Sequence, residues 1–430
     1  MTPPLLFLAG LAFVILFGFV GTLLFRATRV PDILILMAAG IVLGPYGLAW
    51  VTPDQLARVL PSFTTLALVM ILFSGGLGMP LGDVLRGAPM ATLFTVLVFV
   101  ASVLATAEIV HHLLGWTLGE GAMLGAIMGG SSSATVLGLL RGAPVSERCK
   151  TLLSLESSIT DVLCITVLVG LIDALTQGGT DVAGPVAHVG AQFGIGIVAG
   201  VVAGFAWGEL ARRARKLRLD FMITLAVVFA LYVGVEAAGG SGAVATLVFG
   251  VVMASSRARS SLPIIVEVGA PLSPPATDAP AAEREPARAT RELRTFHDEL
   301  ASLLRTLFFL VLGIRFPLEW PGVAVCAAIA TMLFAWVAIR WLIGLPISWM
   351  SKFDRRDRFA VVHLFPRGMV AAVLATLPAQ YKLADGTPLL SSARVDAFVL
   401  IAFLIIGLTT LWSSVAVVFG ARIEAGPPRR

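Results

Sequence analysis

Four oxygen-bearing side chains lie close together within an apolar stretch of the chain: Glu156, Ser157, Thr160 and Asp161. On a helix, the rotation of about 100° per residue places all four within a sector of roughly 140°. Small hard cations such as Na⁺ and Li⁺ prefer oxygen ligands that replace their hydration shell. This face therefore predicts a site for a cation or a proton. In the alternative, the hydroxyls bond back to their own helix and the acids are paired counter-ions.

Asp161 is the acid that most needs an explanation, because it lies midway between Lys150 and Ile172 in a segment predicted to cross a membrane. An ionised carboxylate in hydrocarbon costs several kcal/mol or more. Such a residue is a functional-site hypothesis, usually for protons or cations. We expect Asp161 to hold either H⁺ or one alkali cation, so that the cation displaces the proton at high pH and fails to do so at low pH.

Arg340 is a second charge within a predicted membrane helix, at 321–347. It lies about 9 Å to the cytoplasmic side of the helix centre, and Glu156 lies about 7.5 Å to the cytoplasmic side of Asp161. The two opposite charges share a depth and are predicted to form an ion pair. That pairing would keep Glu156 ionised and leave Asp161 to exchange a proton for a cation.

Small and hydroxylated residues, Gly129-Gly130-Ser131-Ser132-Ser133, occupy the middle of the preceding apolar window. Such a run breaks a helix readily, and broken helices in transporters direct backbone carbonyls and half-helix ends at the ion site. We predict that Ser131, Ser132 and Ser133 contribute ligands at this break. A close-packed interface of small residues is the alternative.

A second break is predicted at Phe365-Pro366-Arg367-Gly368, because Pro followed by Gly leaves backbone groups without helical partners. Arg367 would then neutralise the carbonyl end of a half-helix. Extension of its side chain toward the cytoplasm is the alternative.

The composition defines the setting of these residues. The chain is 57% hydrophobic and 13% charged over 430 residues, against about 25% charged in soluble domains. It is therefore an integral membrane protein, with an all-α polytopic fold. Apolar windows predict thirteen helices, at 4–26, 32–50, 62–80, 89–114, 119–141, 148–176, 186–210, 219–237, 241–257, 296–315, 321–347, 357–381 and 394–421.

Charge placement predicts the orientation. With the amino terminus outside and the carboxyl terminus in the cytoplasm, 24 of the 31 Lys and Arg residues fall in cytoplasmic segments and four in external ones. Residues 258–295 include a stretch rich in Pro, Ala, Glu and Arg, which predicts a flexible cytoplasmic linker. The linker would join a first membrane segment, 1–257, to a second, 296–430, within one membrane domain.

Several classes of function are disfavoured. No nucleic-acid motif is present, and the three cysteines show no pairing pattern. An intramembrane hydrolase would need a serine of the 131–133 run beside His111 or His363, from distant helices. A cation channel or a non-transporting membrane sensor is a less favoured alternative. A channel would need a repeated filter-like loop, and none is evident. We expect neither an enzyme nor a bound cofactor.

Taken together, these residues resemble the monovalent cation/proton antiporters, most nearly the bacterial and archaeal sodium/proton branch related to the animal sodium/hydrogen exchangers. The resemblance covers nearly the whole chain. Its specific parts are Val30-Pro31, Gly40-Ile41-Val42-Leu43-Gly44-Pro45, Glu156-Ser157 to Asp161, 296–313 with Phe308-Phe309, Arg340, and Arg367-Gly368.

The resemblance implies roles for the predicted residues. Asp161 takes the ion- and proton-carrying position, Ser157 a ligand position, and Glu156 with Arg340 the stabilising pair. It also implies two broken helices that cross, and a homodimer with a dimerisation scaffold and a mobile core. We further predict inverted repeats, which are common in secondary transporters, and a location in the inner (plasma) membrane. No sequence repeat is evident.

The chain departs from the sodium/proton branch at two places. Thr160 stands where Asn is usual, and Ser131-Ser132-Ser133 stands where Thr-Asp-Pro is usual, which is closer to the potassium-efflux branch. The predicted exchange is Na⁺ or Li⁺ for H⁺, with K⁺/H⁺ exchange as the alternative. Because the electrogenic branch carries paired acids where Thr160 and Asp161 stand, the single acid here predicts electroneutral 1:1 exchange.

Overall fold

The computed structural model describes most of the chain as helix. The described residues are 12, 16–19, 32–50, 60–77, 89–140, 145–176, 183–213, 220–260, 303, 306–316, 322–383 and 385–420. Within these ranges the one β-type pairing is an isolated bridge between Lys382 and Pro388. The predicted all-α fold is confirmed.

The helices are numbered here in chain order. They are α1 (Asp32–Leu43), α2 (Leu60–Leu77), α3 (Pro89–Leu114), α4 (Leu118–Met128), α5 (Ser133–Leu140), α6 (Glu147–Thr176), α7 (Ala183–Arg213), α8 (Asp220–Ala237), α9 (Gly242–Ser260), α10 (Gly322–Met350), α11 (Arg355–His363), α12 (Met369–Leu374) and α13 (Ser392–Gly420), with a 3₁₀ helix at Leu377–Gln380. Residues 16–19 and 306–314 are also helical.

Five helices in the described part of the chain are long and apolar enough to cross a membrane: α3, α6, Ala191–Leu210 of α7, α10 and α13. Several shorter apolar helices accompany them. Most of the predicted bounds agree with the structure within a few residues. The predicted helix at 32–50 is wrong at its carboxyl end, since α1 ends at Leu43. The predicted helix at 4–26 falls mostly outside the described residues. Of the predicted helix at 296–315, residues 303 and 306–315 are described, and 303 and 306–314 are helical. The linker predicted at 258–295 also lies outside them from residue 261 onward.

Close packing against α3 positions α4, the first half of an interrupted helix. Gly121 and Gly125 of α4 face the backbone of α3, and a Cβ on Gly125 would lie 2.7 Å from the Val103 carbonyl oxygen. Small residues allow this approach, which in a membrane provides much of the helix association energy. The buried side chains of Leu124 and Ile127 then fill the adjoining core.

The start of α6 is held by a buried carboxylate on α11. Asp357, which is 2% exposed, accepts hydrogen bonds from Ser146 N at 2.8 Å and Ser146 Oγ at 2.6 Å. Ser146 Oγ in turn accepts from Cys149 N at 3.2 Å. These bonds satisfy amide groups that the first turn of a helix leaves without partners, and the negative charge suits the helix N-terminus. The helix that carries Asp161 is thus attached to the helix that precedes the second break.

Candidate functional site

Two interrupted helices meet inside the bundle. The first break, residues 129–132, separates α4 from α5, and the second, residues 364–368, separates α11 from α12. The Ser132 amide of one break donates to the Pro366 carbonyl of the other at 2.7 Å. This hydrogen bond joins the two breaks directly, which confirms the predicted pair of broken, crossing helices.

A buried guanidinium lies at the carbonyl end of each half-helix that precedes a break. Arg367 Nη1 donates to the Gly129 carbonyl, at the end of α4, at 3.0 Å. Arg340 donates to the Val361 carbonyl from Nε at 3.0 Å and from Nη2 at 2.8 Å, and to the Leu364 carbonyl at 3.2 Å, at the end of α11. These carbonyls lack helical partners and carry the negative end of the helix dipole. Arg367 belongs to the second break, but its guanidinium binds the carbonyl end of α4, which precedes the first break.

Glu156 and Arg340 form a two-pronged ion pair. Arg340 Nη1 lies 2.5 Å from Glu156 Oε1 and Nη2 lies 2.9 Å from Oε2, and both residues are 2% exposed. The guanidinium carbon also lies 5.3 Å from the centre of the Phe94 ring. A buried pair is tolerated only when the remaining hydrogen-bonding groups are satisfied, and the Val361 and Leu364 carbonyls do this for Arg340.

The polar face of α6 contacts the first break through Thr160. Thr160 Oγ1 accepts from Ser131 N at 3.2 Å and donates to the Ser157 carbonyl at 3.0 Å. Ser157 Oγ donates to the Leu153 carbonyl at 2.9 Å, as the structural alternative anticipated. A hydroxyl that donates to a carbonyl keeps its oxygen lone pairs, so this bond leaves Ser157 able to coordinate a cation.

Asp161 lies on this same face but differs in exposure. It is partly exposed, whereas Ser157 and Thr160 are 0% and 2% exposed. Three residues after Asp161, the buried thiol of Cys164 faces the first break, since a Cβ on Gly130 would lie 2.5 Å from its sulfur. Asp161 therefore directly follows the residue that binds the first break, and part of its surface is exposed.

The hydroxyls of the first break have different partners. Ser131 Oγ, on a residue that is 1% exposed, has no hydrogen-bond partner within the described ranges, and neither has Arg367 Nε. Ser132 Oγ accepts from Thr135 Oγ1 at 3.1 Å. Ser133 begins α5, and its side chain lies outside the described structure. A buried hydroxyl without a partner is costly, which makes Ser131 a candidate to coordinate an ion or a water molecule.

Residues of α13 that the sequence reasoning did not single out also hold the second break. Thr409 Oγ1 accepts from Arg367 N at 3.0 Å, and Ser413 Oγ accepts from Phe365 N at 3.3 Å. The available signal was the cluster of hydroxylated residues Thr409, Thr410, Ser413 and Ser414, one helical turn apart within an apolar part of α13. They satisfy amide groups that the break leaves without helical partners.

Gly368→Ala is expected to separate the two breaks. A Cβ at this position would overlap Ser132 Oγ and lie 2.5 Å from Ser132 Cβ. Such overpacking costs about 1–3 kcal/mol, so we expect a lower thermal unfolding midpoint and impaired transport.

Two further variants test the steric cause. Adding Ser132→Gly to Gly368→Ala should restore stability, since the nearest remaining atom of residue 132 is Cα at 3.7 Å. Gly194→Ala is the control, because an added Cβ meets nothing within 4 Å there. An unfolding midpoint for Gly368→Ala equal to that of the control would contradict the close contact.

Fold and site together define a class: multi-pass helical membrane proteins in which two interrupted helices meet beside a carboxylate. The chain belongs to the sodium/hydrogen exchanger family, since the family's sequence model, described as sodium/hydrogen exchanger, transmembrane, matches residues 11–419.

Named relatives agree with this assignment. The chain is 25% identical over 364 residues to the K(+)/H(+) antiporter NhaP2 of Shewanella oneidensis, covering 81% of this chain and 56% of that protein. It is 26% identical over 388 residues to the K(+)/H(+) antiporter NhaP of Alkalimonas amylolytica, covering 84% and 58%. The chain thus spans a little over half the length of these relatives.

A solved structure shares the fold. The sodium proton antiporter MjNhaP1 from Methanocaldococcus jannaschii, determined at pH 8, superposes with a TM-score of 0.77 at 18% identity, covering 96% of this chain and 97% of that one. The similarity extends over nearly the whole of both chains.

Proposed function

We propose that this protein is a secondary antiporter that exchanges a monovalent cation for H⁺ across a membrane by alternating access. Family membership and fold support this class of activity. The observation that carries the proposal is the arrangement around α6. Glu156 is bound by Arg340, while Asp161 is partly exposed and follows directly after Thr160, which binds the first break. We therefore propose Asp161 as the carboxylate that exchanges ions.

The proposed site uses Asp161 as the carrier, with Ser157 and Ser131 as supporting oxygen ligands. Thr160 and Ser132 add hydroxyls nearby, and Thr160 also holds the break against α6. The sequence predicts Ser133 as a further ligand. A proton and a cation compete for the same carboxylate, so only one is carried at a time. If the core domain changes orientation only when Asp161 is occupied, this competition couples the two fluxes.

Charge balance at the breaks suits such a carrier. Arg340 neutralises Glu156, and Arg367 faces the carbonyl end of α4. H⁺ and an alkali cation each add one positive charge to Asp161. The moving unit therefore carries the same net charge in both directions. We therefore propose electroneutral 1:1 exchange.

Na⁺ or Li⁺ is the proposed cation, and K⁺ is the second candidate. The specific observation that favours K⁺ is the serine run at the first break, which offers hydroxyls where the sodium/proton branch has a carboxylate. The relatives named K(+)/H(+) antiporters support the same candidate. Residence in the inner membrane as a homodimer, with the amino terminus outside, is part of the proposal.

Purified protein in liposomes tests the proposal. We expect the addition of NaCl, LiCl or KCl to dissipate an imposed pH gradient, reported by dequenching of a pH-sensitive dye, with the size of the response ranking the cations. Electroneutral exchange should persist unchanged when the membrane potential is clamped at different values. Failure of all three cations would refute antiport, and transport current proportional to flux would refute the 1:1 stoichiometry.

A further inference from the structure

An open groove of about 320 Å³ lies between α10 and α11, and no residue of the candidate ion site lines it. Its apolar wall consists of Trp341, Leu345, Phe359 and Val362, and Arg355 and Arg358 border it. The groove therefore combines an apolar surface with two cationic groups. This combination matches an amphipathic, anionic ligand.

The two arginines are available to such a ligand. Arg355 is exposed, and Arg358 is partly exposed, with its Nε donating to the Phe353 carbonyl at 3.0 Å. Within the described ranges, no carboxylate lies in salt-bridge range of either guanidinium. The neighbouring acids are engaged elsewhere, since Asp354 accepts from Asp357 N at 2.8 Å and Asp357 accepts from Ser146.

The surroundings of the groove point to the membrane boundary. The end of α10 exposes large apolar side chains, with Trp341 at 58%, Trp349 at 61% and Met350 at 67%. The basic residues Lys352 and Arg355 follow directly. Tryptophan is enriched where hydrocarbon meets headgroups, and juxtamembrane basic residues attract anionic lipids.

We propose that this groove binds an anionic phospholipid. The phosphate lies between Arg355 and Arg358, because guanidinium groups bind phosphate oxygens in paired hydrogen bonds. An acyl chain lies along Trp341 and Leu345. Bound lipid would join α10 to α11, the two helices that Arg340 also links through the Val361 carbonyl, and would therefore raise the stability of the protein.

The test measures the thermal unfolding midpoint of the full-length protein in neutral detergent during titration with phosphatidylglycerol. We expect a saturable rise that phosphatidylcholine and glycerol 3-phosphate do not produce. The double variant Arg355→Gln/Arg358→Gln should raise the half-saturating lipid concentration by about 25-fold, since each basic residue contributes about fivefold. The control is Arg148→Gln/Lys150→Gln, which removes the same amount of charge at the start of α6. This variant should leave the half-saturating lipid concentration unchanged.

A normal midpoint without lipid establishes that each variant is folded. If the double variant does not fold, Arg355→Gln replaces it, with an expected effect of about fivefold. Trp341→Ala, which keeps both arginines, should also weaken the response. Wild-type saturation in the arginine variants, or an equal response to phosphatidylcholine, would overturn the proposal. A response to glycerol 3-phosphate alone would show a site for free anions in place of a lipid site.

Discussion

Asp161→Asn is expected to abolish cation/proton exchange while leaving the protein folded. The amide keeps the shape of the side chain but cannot bind or release a proton at working pH, and it loses the charge that balances a cation. Exchange measured by dye dequenching in liposomes should fall to the level of protein-free liposomes. The thermal unfolding midpoint and the elution profile should stay close to those of the wild type.

The matched control is Glu108→Gln, which amidates an acid of α3 whose side chain is 62% exposed. This variant should retain wild-type exchange, because its carboxylate lies at the surface, away from the breaks. Sodium-driven recovery of pH in the Asp161→Asn liposomes would be decisive against the proposed carrier.

Arg340→Ala is expected to damage stability first. The substitution leaves the buried Glu156 carboxylate without its guanidinium, and removing one partner of a buried pair costs about 3–5 kcal/mol. It also removes the donors to the Val361 and Leu364 carbonyls at the end of α11. The free energy of unfolding, measured in detergent, should fall by this amount.

A double variant separates the loss of the charge pair from the loss of packing. Glu156→Gln/Arg340→Met removes both charges at similar volume, and replacing both members of a buried pair is often nearly neutral. The double variant should therefore be more stable than Arg340→Ala. If Arg340→Ala unfolds like the wild type, the ion pair does not stabilise the fold.

Asp161→Asn and Arg340→Ala together distinguish a residue that carries the transported ion from a residue that supports the fold. Loss of exchange at wild-type stability indicates a residue that handles the transported ion. Loss of stability with exchange reduced in proportion to the folded fraction indicates a residue that holds the helices in place. We expect Arg340 to be of the second kind, because it contacts α6 and α11.

Much of the site was predictable because its signals are local. Hydropathy identifies the membrane helices, and the helical repeat places Glu156, Ser157, Thr160 and Asp161 on one face. The glycine and serine run and the Pro366-Arg367-Gly368 sequence identify both breaks from residue chemistry alone. Matching depth paired Glu156 with Arg340, since two charges in an apolar layer are most stable together.

Tertiary structure alone decided how these parts connect. Ser132 N reaches the Pro366 carbonyl, Arg367 reaches the Gly129 carbonyl of the opposite helix, and Asp357 reaches Ser146. Each contact joins residues about 200 positions or more apart along the chain. Helix periodicity defines which face is polar, but it carries no information on which distant backbone group that face meets. Packing of the helices determines that choice, because it sets which side chain or amide reaches the backbone groups that each break leaves without helical partners.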